Sequence, residues 1–181
     1  MPKSATVAAV LLAAGAGTRY GMPKVLAHDG QWLRDCVAAL AKGGCDDVVV
    51  VLGAATVDVP APARAVVAAD WQRGLSASVR AGIRAVDAAY LVLHAVDTPD
   101  VGADAVRRVL DTARSSASGL ARARYGDRPG HPVVIARRYW PELLETLQGD
   151  EGARHFLSGR SDVVDVDCAD LASGQDIDTV G

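Results

Sequence analysis

Glycines and cations crowd one short stretch of the chain, Leu12-Ala13-Ala14-Gly15-Ala16-Gly17-Thr18-Arg19-Tyr20-Gly21-Met22-Pro23-Lys24. Glycine lets a backbone turn tightly and approach a ligand, so that several N–H donors converge on phosphate oxygens. Arg19 and Lys24 add positive charge to the same loop. The pattern predicts a triphosphate cradle built from Leu12, Ala13, Ala14, Gly15, Gly17 and Thr18, with Arg19 and Lys24 as its catalytic cations. A P-loop would need four residues between its glycines and then Gly-Lys-Ser/Thr, and a Rossmann fingerprint would need a third Gly where Tyr20 stands. A bare glycine turn without a ligand explains the glycines but not the two cations.

Asp97, in Asp97-Thr98-Pro99-Asp100, follows an apolar run and falls where ligands bind in open α/β sheets, although an Asp before a Pro also starts turns. The histidines His28, His94, His131 and His155 form no spaced pair, which disfavours zinc. Cys36, Cys45 and Cys168 match no zinc or redox spacing and read as reduced core residues.

The elements that must position these groups alternate. Apolar runs at 6–13, 48–52, 64–69, 90–96, 132–135 and 163–166 read as strands, with 120–123 a weaker candidate. Helical periodicity covers 31–42, 76–86, 103–113 and 139–147, a shorter helix follows Gly149-Asp150, and 126–131 reads as a turn-rich connection. Ser76 suits an N-cap, and Asp100 or Gly102 can cap the following helix. The alternation predicts a single α/β domain over 1–181, Rossmann-like, three layers deep (α/β/α), with a mostly parallel sheet.

The chain has 181 residues, half of them apolar, and a net charge of -3, enough for one core and without a basic field for nucleic acid. The apolar run at 7–14 is too short for a membrane span and does not continue into a signal-peptide cleavage site, so no membrane partner and a cytoplasmic location are expected.

The glycine loop resembles the signature of the MobA-like nucleotidyltransferases, Leu-Ala-Ala/Gly-Gly followed by Arg, Gly and Lys. The molybdenum cofactor cytidylyltransferases are the most similar subgroup. The likeness extends through Gly74-Leu75-Ser76-Ala77-Ser78, Asp97-x-Pro99, Gly130-His131-Pro132-Val133, Gly149-Asp150-Glu151-Gly152-Ala153-Arg154 and Asp176-Ile177-Asp178-Thr179. It implies a nucleotide-diphospho-sugar transferase-like fold and transfer of a nucleoside monophosphate from a nucleoside triphosphate to a phosphorylated small acceptor, with a molybdoenzyme or a maturation protein as a further partner. It also implies Mg²⁺ held by Asp97 and Asp178, with Asp176 in reserve; Mg²⁺ takes one or two carboxylates and completes its shell with phosphate and water. His131 becomes an acceptor-side residue, and Gly74, Ser76 and Ser78 fall against the base or ribose.

Ala14, where GTP users tend to carry Gly, favours CTP. A guanylyl- or other nucleotidyltransferase, and a nucleotide-binding regulatory or assembly protein without turnover, remain alternatives. A dinucleotide-dependent oxidoreductase would place an acid at the end of the second strand, where Val51-Leu52-Gly53-Ala54 has none. The sequence departs from the family at Tyr20 (usually Met), at Val96 (usually Gly) and at Val180-Gly181, where the family continues Pro-Glu-Asp. The last departure leaves the fixing of Asp178 to be explained.

Overall fold

The computed structural model describes residues 6–180. The elements in chain order are β1 (Val7–Ala13), α1 (Ala27–Lys42), β2 (Asp47–Leu52), β3 (Arg64–Val67), α2 (Leu75–Arg84), β4 (Tyr90–Ala95), α3 (Ala103–Ser115), β5 (Leu120–Tyr125), β6 (Arg128–Ala136), α4 (Trp140–Thr146), α5 (Arg154–Ser158) and β7 (Val164–Asp167). They form one seven-stranded sheet of order β3-β2-β1-β4-β6-β5-β7, in which β6 alone runs antiparallel to its neighbours β4 and β5. This is the expected single-domain, mostly parallel α/β architecture.

β1 is buried along its whole length because it lies inside the sheet with helices on both faces. Ala9, Leu11, Val50, Leu52 and Val92 face α1 and α3 on one side. Val10, Val49, Val51, Leu91 and Leu93 face α2, α4 and α5 on the other. The parallel pairing sets Leu12 opposite Leu52 minus one residue, at Val51, and opposite Ala95, so the C-terminal ends of β1, β2 and β4 open at one edge.

Several expectations shift. Three left-handed residues, His28 (φ 50°), Asp29 (φ 55°) and Gly30 (φ 81°), break the start of α1, so regular helix begins at Gln31 as the periodicity implied. The connection expected at 126–131 shrinks to Gly126-Asp127, because Arg128 already belongs to β6. Pro129 and Pro132 are accommodated there because pairing with β4 ends at Leu93↔Val133, leaving this stretch bonded to β5 alone. α2 begins at Leu75 with Gly74, not Ser76, in the cap position. Gly102 holds the cap position of α3, and Asp100 is used elsewhere. Among the described residues no helix is long and apolar enough to cross a membrane.

Candidate active site

Beyond Ala13 the chain folds back on itself. The Gly21 N–H donates to the Gly17 carbonyl at 2.8 Å. Gly17 has φ +64°, and a Cβ there would lie 1.8 Å from the Met22 carbonyl oxygen, so only glycine fits. Tyr20, in the position where Met is usual, turns inward and packs on Trp32 at 5.3 Å between ring centroids. That contact anchors the loop to α1 and leaves Arg19 on its outer surface. A short 3-10 turn at Lys24–Leu26 then brings Lys24 back beneath the loop.

Lys24 Nζ stands 2.9 Å from Asp178 Oδ1 and 3.3 Å from Asp97 Oδ2, and its side chain is only 15% exposed. Arg19 Nη2 approaches Asp178 Oδ1 at 3.9 Å from the solvent side. The hydrogen bond from Lys24, and then its charge and that of Arg19, hold the Asp178 carboxyl below the ordinary aspartate range. Asp176 goes the opposite way, raised first by desolvation and then by the negative charges of Asp97 and Asp178. Asp97 Oδ1 is buried and has no hydrogen-bond partner.

Asp178 lies in a segment without regular structure, yet several bonds fix it. The Ile177 N–H donates to the Asp97 carbonyl at 2.9 Å, and both the N–H and the hydroxyl of Ser173 donate to Asp100 Oδ2. Arg128 donates to the Ser173 carbonyl, and Gly174 (φ +61°) lies so close to Tyr125 that a Cβ would fall 2.2 Å from its ring. These contacts answer the question raised by the departure at Val180.

All these groups open on one cavity of about 570 Å³. Its walls include Leu12, Ala13, Ala14, Gly15, Gly17, Thr18, Arg19, Lys24, Gly74, Ser78, Asp97, His131 and Asp178, so nearly every residue singled out in the sequence converges here. Ser76 is the exception. It is buried inside α2, does not line the cavity, and spends its N–H on the Gly149 carbonyl at 3.0 Å.

Trp71, Gln72, Asp150 and Asp176 also line the cavity. Trp71 and Gln72 carry no motif that marks them from sequence, whereas Asp150 belongs to the 149–154 stretch that shares the family likeness without an implied site role. Gly74 (φ +114°) admits the Gly149-Asp150 turn, since a Cβ at Gly74 would meet the Gly149 carbonyl oxygen at 2.4 Å.

His131 reaches the cavity from β6, held by a 2.6 Å hydrogen bond from the Tyr125 hydroxyl to its carbonyl. Its ring meets that of His94 edge-on at 6.3 Å. Burial holds His131 below the ordinary histidine range, opposed by Asp97 and Asp176. His94 is pushed down to about 3, by burial first and then by His131, and neither of its ring nitrogens has a partner.

A model of the MobA-like NTP transferase domain matches residues 9–164. The chain belongs to the MobA-like NTP transferase family. It is 40% identical over 189 residues to the nicotine blue oxidoreductase of Paenarthrobacter nicotinovorans, covering 96% of this chain and 93% of that protein. The crystal structure of Rv0371c from Mycobacterium tuberculosis H37Rv superimposes with a TM-score of 0.76 at 30% identity, covering 97% of this chain and 95% of that one. The same protein in complex with manganese matches at TM-score 0.68 and 26% identity, over 90% of this chain and 88% of that one.

Membership in the MobA-like family makes the chain a member of a nucleotidyltransferase family. Among the described residues no three His, Cys, Asp or Glu side chains form a ready metal cage. The unpartnered Asp97 Oδ1 and the carboxylates of Asp176 and Asp178 are all-oxygen donors, which suit Mg²⁺ or Mn²⁺ completed by phosphate oxygens rather than a soft metal.

Proposed function

We propose that this protein transfers a nucleoside monophosphate, CMP from CTP as first choice, onto a phosphorylated small-molecule acceptor of the molybdopterin type. The observation that carries this reading is the meeting of Lys24, Asp97 and Asp178 directly beneath the Gly15–Lys24 loop. In the reaction an acceptor phosphate oxygen bonds to the α-phosphorus, the bond from that phosphorus to the bridging oxygen breaks, and pyrophosphate leaves. The acceptor is already anionic near neutral pH, so no side chain need remove a proton. What the protein supplies is alignment and charge.

The loop amides and Arg19 would hold the triphosphate. Lys24 would exchange its carboxylate contacts for the α-phosphate and the departing pyrophosphate. Its two contacts are with Asp97 and Asp178, the pair that would hold Mg²⁺; when bound, the ion would supply positive charge at the reacting phosphates. His131, which lines the cavity and feels the charges of Asp97 and Asp176, would face the acceptor, and Gly74 with Ser78 would border the nucleoside. Pyrophosphate release, measured for each NTP with Mg²⁺ and a panel of phosphorylated acceptors, tests the reading. Tight NTP binding without release for any acceptor would favour a regulatory or assembly protein instead.

The name of the 40% identical relative favours a second reading, an oxidoreductase. In that case the same amides and cations would hold the pyrophosphate of a nicotinamide dinucleotide, bound without the ribose-holding acid that the end of β2 lacks, and electrons would pass from it to an aromatic acceptor. Thiol chemistry is a poor alternative, because burial raises both Cys36 and Cys45 to about 12. Oxidation of reduced nicotinamide dinucleotide in the presence of nicotine blue, with no pyrophosphate released from any NTP, would replace the transferase reading by this one.

A further inference from the structure

One wall of the cavity is aromatic, and neither the phosphate cradle nor the carboxylates account for it. Trp71 opens the short 3-10 turn Trp71–Arg73 between β3 and α2, is half-buried, and lines the cavity. Its backbone is pinned by hydrogen bonds from its own N–H to Ala68 and from the Gly74 N–H to its carbonyl. Its side chain is pinned from below by Gly53, the residue after β2. A Cβ on Gly53 would lie 2.7 Å from both Cβ and Cγ of Trp71 and 2.8 Å from the Ala14 carbonyl oxygen, so the indole crosses a strand end that only a bare backbone leaves free. The Ala54 N–H donates to that same Ala14 carbonyl at 2.9 Å, which ties this wall to the start of the glycine loop.

The cavity is thus lined by the cations of Arg19 and Lys24 and, on the β1–β2 side beside Gly53 and Ala14, by Trp71. A polyphosphate explains the first feature and not the second. A polyphosphate that also carries a planar heteroaromatic ring explains both.

Building on the nucleotide reading above, we propose that Trp71 is the stacking platform for the nucleobase, supplying affinity without choosing among bases. Every base has a π-face, so stacking on an indole tolerates any sequence of ring substituents. Discrimination between cytosine and guanine must come from other groups.

The test is calorimetric titration of CTP, GTP and inorganic tripolyphosphate, each with Mg²⁺, into the wild type and into Trp71→Leu and Trp71→Phe. Leu keeps apolar packing over Gly53 but has no ring, whereas Phe keeps a ring. In Trp71→Leu, CTP and GTP should each weaken by about ten- to a hundredfold while tripolyphosphate changes less than about twofold; Trp71→Phe should recover most of the loss. Undiminished nucleotide binding in Trp71→Leu would overturn the platform, and so would an equal loss of tripolyphosphate, which would make Trp71 a support for the cradle. Near-wild-type melting of Trp71→Phe guards against misfolding, since a folded Phe variant that fails like Leu also overturns the proposal. If the wild type binds neither the nucleotides nor tripolyphosphate, the nucleotide reading itself falls.

Discussion

Lys24 and Asp178 are 154 residues apart in sequence, and their charged groups meet at 2.9 Å. Asp97, from the end of β4, completes the bridge at 3.3 Å. A single ammonium group shared by two carboxylates occupies the point where the glycine loop, the central strand and the last segment of the chain come together. On the proposed reading, a triphosphate entering the loop would compete for that ammonium and so couple ligand binding to the C-terminal segment through one side chain.

Lys24→Ala should therefore remove most turnover while the protein stays folded. Loss of one charge contact to a reacting phosphate costs about 3 kcal/mol of transition-state stabilisation, roughly a hundredfold in rate. Steady-state pyrophosphate release and a thermal melt, run side by side, check this. Near-normal turnover in the variant would end the assignment of Lys24.

Gly17 and Gly15 separate backbone need from mere composition. A methyl group at Gly17 would strike the Met22 carbonyl and sit at φ +64°, whereas one at Gly15 would meet nothing within 4 Å. Gly17→Ala should weaken NTP binding by the equivalent of about 1–3 kcal/mol of backbone strain, and Gly15→Ala far less. Thermal shifts on adding CTP and Mg²⁺ to each variant give the comparison; equal shifts would mean that the loop's closure does not serve the ligand.

This loop was legible in the sequence because its glycines and cations lie close together along the chain, where spacing reports geometry. So were the buried strands, whose apolar runs record burial on both faces. The β6 strand was partly hidden: its end at 132–135 is an apolar run, but Pro129 and Gly130 fall in a stretch that reads as a turn-rich connection, and only the sheet's local pairing shows why they are tolerated. Ser76 misled for a related reason. It has the chemistry of an N-cap, but the close approach of Gly149 to Gly74 starts the helix one residue earlier and buries it. Trp71 and Gln72 reach the cavity through tertiary packing alone, which leaves no local signature, and the motif around Asp150 does not by itself say that its side chain lines the site.

His94 should make the fold sensitive to mild acid. Its folded pKa, about 3, lies below its unfolded value near 6.5, so the unfolded chain takes up the proton first. Stability from the neutral imidazole is present above pH 6.5 and is lost progressively as pH falls toward 3, by of the order of 4–5 kcal/mol in total. His131, also held low by burial, adds in the same direction. His94→Phe removes the larger contribution and two unpartnered ring nitrogens, so its melting temperature should change less than that of the wild type between pH 6.5 and 4. Parallel curves for the two proteins would contradict the buried neutral histidine.

Asp97 offers the sharpest check on the metal. Its Oδ1 is buried without a partner while its Oδ2 faces Lys24, so one oxygen is free for an ion and the other holds the cation in place. Asp97→Asn keeps the size of the side chain but removes the charge that both contacts use. Turnover should fall at least about a hundredfold, comparable to losing one preorganised charge. In the wild type, EDTA should abolish pyrophosphate release and added Mg²⁺ or Mn²⁺ should restore it, whereas added metal should not rescue Asp97→Asn. Full activity in EDTA, or an Asp97→Asn variant that works normally, would remove the divalent ion from the mechanism and leave Asp97 as a positioning partner of Lys24.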